Sequence, residues 1–409
     1  MGAAVFAALA LLIAACSGVA SHYRVSRPVV PAAQLTITPA AGASGAKPGR
    51  GVTVTVAKGR ILTVSAAGGQ HRVSGSFNPA HTAWHSTWAL HPARRYTVTA
   101  TAVGAAHKTV TRTSSFRTLR PRVVLHTHIL EGAHQTYGVG MPVILTFSHP
   151  VTHRAAVERS LHLWSSKPVA GAWYWDGNET VVFRPRAYWP QHTTVRFLGH
   201  LDGVEAARGV YGTANLTQSF RIGHSLIAVV STSRHHAKIY YRDKLFGVWP
   251  VSTGSPGDDT ADGTYLTIEK GNPVLMSGPG YTDFPVPYSV RFTWSGDYMH
   301  DAYWSVGEQG YANVSHGCVN LSPAHARTYY RLAVPGDPVT VTGSPAAGMW
   351  DDGWTEWFLS WKQLLRGSAT HEAVQVGPDG SSLVSPASVP PVTVRAPLHT
   401  ARPHNHLAR

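Results

Sequence analysis

The chain is short of cysteine, of acidic residues and of long apolar runs, and each shortage excludes something. Only two cysteines, Cys16 and Cys318, occur in 409 residues, which excludes a disulfide-stapled scaffold and leaves no paired-cysteine spacing for zinc. Asp and Glu number 21 against 35 Lys and Arg, and charged residues make up only 14% of the chain, so the net charge of +14 comes from missing acids rather than basic blocks. That balance favours anionic partners and gives no ground to expect nucleic acid. The 24 histidines are dispersed, so no metal is expected, and no cofactor; any on the surface add positive charge as pH falls below about 6.5. With 43% hydrophobic residues, the chain is still long enough for about two or three cored domains.

The apolar run AAVFAALALLIAA, residues 3–15, falls short of the about 20 residues that cross a bilayer. It reads as a signal-peptide core. Its end, LIAAC, resembles the bacterial lipobox, which implies lipidation of Cys16 and a membrane anchor facing outward. The leading MGAAVF departs from that pattern in having no Lys or Arg. If Cys16 carries lipid, Cys318 has no disulfide partner within the chain, and an exported lone thiol needs another purpose.

Helical periodicity is nearly absent over most of the chain. After the leader (1–16) and a linker (17–34), alternation begins in GVTVTVAKGRILTVSA, with Val52, Val54 and Val56 on one face. It continues in RYTVTATAV through Tyr96, Val98, Ala100 and Ala102. Short strands between Gly, Pro and Asn turns predict an immunoglobulin-like β-sandwich over 35–120. WALHP and Phe116 recur as VVFRP and Phe220 at offsets of 93 and 104, which predicts a diverged second sandwich over 121–223. Trp84 and Trp88 read as core or interdomain contacts. A third β-rich region spans 224–345. Beyond it, GMWDDGWTEWFLSWKQLLRG spaces Trp354, Trp357, Phe358 and Trp361 by three or four residues and predicts an amphipathic helical subdomain over 346–366. Residues 367–409 hold six prolines and no aromatics and read as a disordered tail.

The stretch SHGCVN holds Cys318. A thiol becomes a nucleophile when an imidazole takes its proton, and two are candidates: His316, two residues away, and His300, 18 residues earlier at the end of RFTWSGDYMH. A hairpin-like return would bring His300 to Cys318. Gly317 allows close backbone approach, and backbone N–H groups there would face a developing oxyanion. A zinc site would draw on Cys318, His316 and His300 or His325, and a buried inert cysteine stays open on residue patterns alone.

Residues 300–323, HDAYWSVGEQGYANVSHGCVNLSP, resemble the signature of bacterial L,D-transpeptidases, a histidine followed at a fixed interval by S/T-H-G-C-x-N. The resemblance extends over 226–366 as catalytic domain with a Trp-rich helix, and over the two sandwiches as an immunoglobulin-like stalk. It implies a mainly β fold, with Cys318 as acylated nucleophile and His300 as base, oriented by the backbone carbonyl of Asp301, where relatives often have Ser. It also implies pocket roles for His316, Gly317, Ser315, Trp304 and Asn320. MSGPGYTDFPVPY resembles the family's lid and implies that Met276, Tyr281 and Tyr288 lie against substrate; TADGTYLTI resembles a conserved element with Ala261 in a proline position. The implied reaction joins peptidoglycan tetrapeptide stems, donor and acceptor, through a thioester with loss of D-alanine and formation of 3-3 cross-links, and carbapenems would acylate the same thiol. An L,D-carboxypeptidase, a wall-anchoring transferase and a non-catalytic wall-binding lipoprotein are the alternatives. Wall polyanions are an expected contact of the tail and of the positive charge.

Overall fold

A computed structural model describes residues 32–390 apart from 106 and 279. Cys16 with the expected leader, and residues 391–409 of the expected tail, lie outside the described residues. No helix among those described is long and apolar enough to cross a membrane.

The molecule is mainly β, gathered around three apolar cores. In the first, period-2 alternation acts as expected: Tyr96, Val98, Ala100 and Ala102 are buried along the strand Arg95–Gly104. Its outward Thr97, Thr99 and Thr101 pair with Ser115, Thr113 and Thr111 of the neighbouring strand, hydroxyl to hydroxyl at 3.0 Å each. One face packs and the other makes a polar ladder, which fixes the register. Trp84 is buried in this core, whereas Trp88 reaches out to stack on His200 of the second unit at 3.5 Å between ring centres.

The second core, built on Trp173, Phe183, Trp189 and Phe197, lies between a six-stranded and a four-stranded sheet. The outer two strands of the larger sheet, Ala373–Gly377 and Gly380–Val384, come from the segment expected to be a disordered tail. Ala373–Gly377 pairs onto Val169–Asp176, with Val169 opposite Val376, and buries Val374 and Val376, while Gly380–Val384 pairs onto Ala373–Gly377 as the outermost strand. The proline count misled the reading because Pro378 lies between the strands, in the turn G-P-D-G, and interrupts neither. Glu158, itself buried, clasps this return: its carboxylate accepts from Ser368 Oγ (2.8 Å), Ala369 N (2.6 Å), Thr370 N (3.2 Å) and Trp175 Nε1 (2.7 Å).

The expected Trp-rich amphipathic helix is also corrected. A 3-10 turn at Glu356–Phe358 ends before Ser360, and a new helix, Trp361–Gly367, starts from a capping box of Ser360 and Gln363. The rings therefore form no common face. Trp354 meets Trp294, Arg184 lies over Trp357 at 4.4 Å, and Arg186 lies over Trp361 at 5.3 Å.

The third core separates a five-stranded sheet from a four-stranded one, against which the helix Pro323–Leu332 packs. This unit is tied to the second sandwich by Trp357 Nε1 donating to Gly140 O (2.7 Å) and by Gly138 N and Gly140 N donating to Pro335 O and Gly336 O (2.8 and 3.0 Å). Glu158→Ala would leave several buried donors unsatisfied, with an expected loss of about 3 kcal/mol in urea unfolding; a loss below about 1 kcal/mol would contradict the clasp.

Candidate active site

Local pairing sets His300 beside Asn320, two residues past Cys318, by a different route from the expected hairpin. Tyr298–Asp301 and Val319–Leu321 run parallel, with His300 opposite Asn320. Parallel neighbours need a crossover connection rather than a tight turn, and residues 302–318 supply it. Cys318 lies in the bend that immediately precedes the paired residues, where its Sγ donates to Gly296 O at 3.8 Å.

The turn before Cys318 is pinned at several points. Ser315 Oγ donates to Cys318 O (2.6 Å) and accepts from Gly317 N (3.2 Å). Thr260 Oγ1 donates to Gly317 O (2.5 Å) and accepts from Gly254 N (2.9 Å). Asn320 Nδ2 donates to Ser305 Oγ (2.9 Å), which braces the crossover next to Trp304. Ala261, in the expected proline position, has its carbonyl held by Tyr265 Oη at 3.1 Å. Gly317 is a position where glycine is required: its φ is +124°, and a Cβ there would lie 2.3 Å from Asp297 Oδ1.

His300 is buried, and its Nδ1 is 2.9 Å from the Asp301 carbonyl oxygen. A carbonyl only accepts, so Nδ1 carries the proton and Nε2 keeps its lone pair. Burial pulls this imidazole down to about 4, against the upward pull of the Asp301 carbonyl. Dense packing around the partly exposed Cys318 pushes its thiol up to about 12; burial is the larger cause and Asp297 the second, while the Tyr298 backbone N–H opposes them. The resting pair is therefore neutral thiol and neutral imidazole. Asp297 is itself raised to about 6, by burial and then by Asp352, with a Thr293 hydrogen bond opposing.

The lid is a hairpin of Val274–Gly278 and Tyr281–Val286. Tyr281 lies 5.7 Å from the ring of the exposed His316, and Phe284 lies edge-on to Trp304 at 5.1 Å, with Trp304 stacked on His300 at 5.8 Å. Met276 is opposite Phe284 in the hairpin. Tyr288 stands apart from this group, against Tyr330 at 5.7 Å and beneath Arg327 at 5.2 Å. His325 also lies elsewhere, stacked on Trp249. Sequence reasoning missed Phe284, Asp297 and Thr260: all three lie within stretches quoted for other residues, Phe284 in the lid, Asp297 in RFTWSGDYMH and Thr260 at the head of TADGTYLTI, and the contacts of Asp297 and Thr260 with Gly317 arise only through folding.

A β-rich unit carrying this thiol and imidazole behind immunoglobulin-like sandwiches defines a class of cell-wall-acting, extracytoplasmic enzymes. Residues 225–341 match the family described as L,D-transpeptidase catalytic domain, and residues 43–205 match bacterial Ig domain. Similar proteins from Mycobacterium tuberculosis include L,D-transpeptidase 2, 31% identical over 82% of this chain and 85% of that protein, and L,D-transpeptidase 5, 32% identical over 88% and 82%. A solved L,D-transpeptidase in complex with imipenem is 36% identical and covers 54% of this chain and 100% of its own, with a TM-score of 0.46. The chain belongs to the L,D-transpeptidase family and is an L,D-transpeptidase.

Asp297→Asn removes a charge that disfavours the thiolate. At pH 8 the variant should be alkylated by iodoacetamide about fivefold faster at Cys318, on a scale where one pKa unit is about tenfold. Below about pH 6 Asp297 is protonated in the wild type, so the two rates should converge; equal rates at both pH values would show that Asp297 does not act on the thiol.

Proposed function

We propose that this enzyme forms 3-3 cross-links between peptidoglycan tetrapeptide stems, with Cys318 as nucleophile and His300 as base. The observation that carries this reading is the buried His300 imidazole, held through Nδ1 by the Asp301 carbonyl at 2.9 Å so that Nε2 keeps its lone pair, on a strand that sets His300 opposite Asn320, two residues past Cys318. The sulfur attacks the carbonyl at the L-centre of the third stem residue, a diaminopimelate, as Nε2 takes the thiol proton. The tetrahedral oxyanion collapses to a thioester, and His300 hands its proton to the departing D-alanine amine. A side-chain amine of a second stem then attacks the thioester, loses its proton to His300 and forms the cross-link; the thiol is restored.

Gly317 N–H already donates to Ser315 Oγ, so we assign the oxyanion contact to the Cys318 amide. His316, Tyr281, Phe284 and Trp304 line the approach; Trp304 is 46% exposed, and with Met276 these residues would contact the stem. Asn320 and Ser315 act by holding backbone in place, and Asp301 through its carbonyl. We assign Tyr288 to the base of the lid rather than to substrate contact. The sandwiches over 35–120 and 121–223 serve as a spacer, and lipidation of Cys16 would fix it to the membrane.

Incubating the protein with disaccharide-tetrapeptide should yield a dimer lacking one D-alanine by mass spectrometry, and Cys318→Ala should yield none. Tripeptide alone would point instead to a carboxypeptidase, and no product to a binding role. His300→Gln should slow acylation of Cys318 by a carbapenem about 10²- to 10⁴-fold, followed as the mass increase of the intact protein; an unchanged rate would remove His300 from the base role.

A further inference from the structure

The return of the C-terminal segment onto the second sandwich creates a cavity that shares no lining residue with the Cys318 site. It is open to solvent, has a volume of about 600 Å³, and lies between the helix Trp361–Gly367, the end of the strand Thr180–Pro185 and residues 386–389. Its walls carry Arg186, Lys362, Arg366 and His371 with the indole of Trp361, and no acidic residue lines it. Lys362 and Arg366 are exposed and four residues apart, so they share one helix face. Arg186 is fixed: it stacks on Trp361 and donates through Nη1 to Val389 O and Pro390 O, both at 2.9 Å. Among the described residues, the cavity thus sets one indole, with Arg186 over its ring, beside two further cations that have no acidic partner.

We propose that this cavity binds a segment of an anionic cell-wall glycan, one sugar ring lying against Trp361 and its acidic group between Lys362 and Arg366. An indole face takes the apolar face of a saccharide ring, and two unpaired cations beside it select for a phosphate or carboxylate over a neutral sugar. The residues beyond Asp379, including 391–409, contain no Asp or Glu and add Arg395, Arg402 and Arg409. That segment is excluded by charge as the occupant. A lipid surface fits less well, because the basic groups line a concavity rather than a flat face with protruding apolar side chains.

The site would hold the enzyme on the polymer from which its substrates project, without touching the reacting atoms. The test titrates the full chain at low and moderate salt with three probes: a hexuronate oligosaccharide, a phosphodiester-linked sugar oligomer, and a neutral oligosaccharide of equal length. The expected result is saturable binding of at least one acidic probe, weakened about tenfold or more by Lys362→Glu with Arg366→Glu. The exposed pair Arg112→Glu with Arg117→Glu, on the first sandwich, makes the same change in net charge and should alter affinity less than twofold. Which acidic probe binds separates phosphate from carboxylate. Binding of the neutral probe alone, equal loss with both double variants, no binding, or binding only to anionic phospholipid vesicles would each overturn the proposal. Cross-linking of free stems should be unchanged in Lys362→Glu with Arg366→Glu, so failure of this inference is distinguishable from failure of the proposed reaction.

Discussion

The parallel pairing of Tyr298–Asp301 with Val319–Leu321 is the constraint on which the site depends. It sets His300 opposite Asn320, two residues past Cys318, so the spacing of these two segments is set by backbone hydrogen bonds rather than by flexible side-chain reach. It also dictates the crossover, since two parallel strands cannot be joined by a tight turn. The crossover is long enough to carry Trp304 back over His300 and to present the SHG turn on a scaffold held by Thr260, Asn320 and Ser305. A slip of one residue would send His300 to the opposite face and bury it away from the thiol. Burial of Met299, Val319 and Leu321 in the core beneath opposes that slip.

The electrostatics follow from the same placement. The imidazole is held low, at about 4, and the thiol high, at about 12, so the proton stays on sulfur while the site is empty. A pre-formed thiolate would be reactive toward any passing oxidant in an exported protein. In the proposed reaction the charge develops during attack, when the substrate carbonyl accepts electron density from sulfur and His300 takes the proton. Asp297 adds to this restraint, pressed against Gly317 where no larger residue fits. Stabilisation withheld from the resting thiolate and supplied only as the oxyanion forms is differential binding of the transition state.

How far this was legible in the sequence differed with the kind of signal. Strand alternation exposed the first sandwich, because its buried and outward residues alternate along Arg95–Gly104. The motif pointed to Cys318, His300 and the Asp301 carbonyl, and that carbonyl does hold His300 Nδ1, at 2.9 Å. The direction of the pairing was not legible, since an 18-residue gap suits a hairpin as well as a crossover. Asp297 and Thr260 reach the site through tertiary contacts that leave no local spacing, and Tyr288 was within the lid's sequence yet packs at its base. The C-terminal strands were hidden because composition was read over 43 residues, whereas each strand is five residues long and flanks a Pro-Asp-Gly turn.

That last misreading bears on how the parts of the chain work together. A chain that left the third unit at Ser344 and trailed into solvent would connect it to the sandwich only through the preceding linker, and domains joined that way move independently by default. Here the chain goes back. It stacks Trp357 and Trp361 against Arg184 and Arg186, passes through the Glu158 clasp and adds the two outer strands to the sandwich's own sheet. Two covalent passages and a continuous set of buried contacts then span one interface, and rotation at it would have to break the clasp and the Trp357 to Gly140 hydrogen bond together. The catalytic face is thereby held at a set angle to the sandwich, which suits an enzyme whose substrate is part of an extended wall and cannot reorient to meet it.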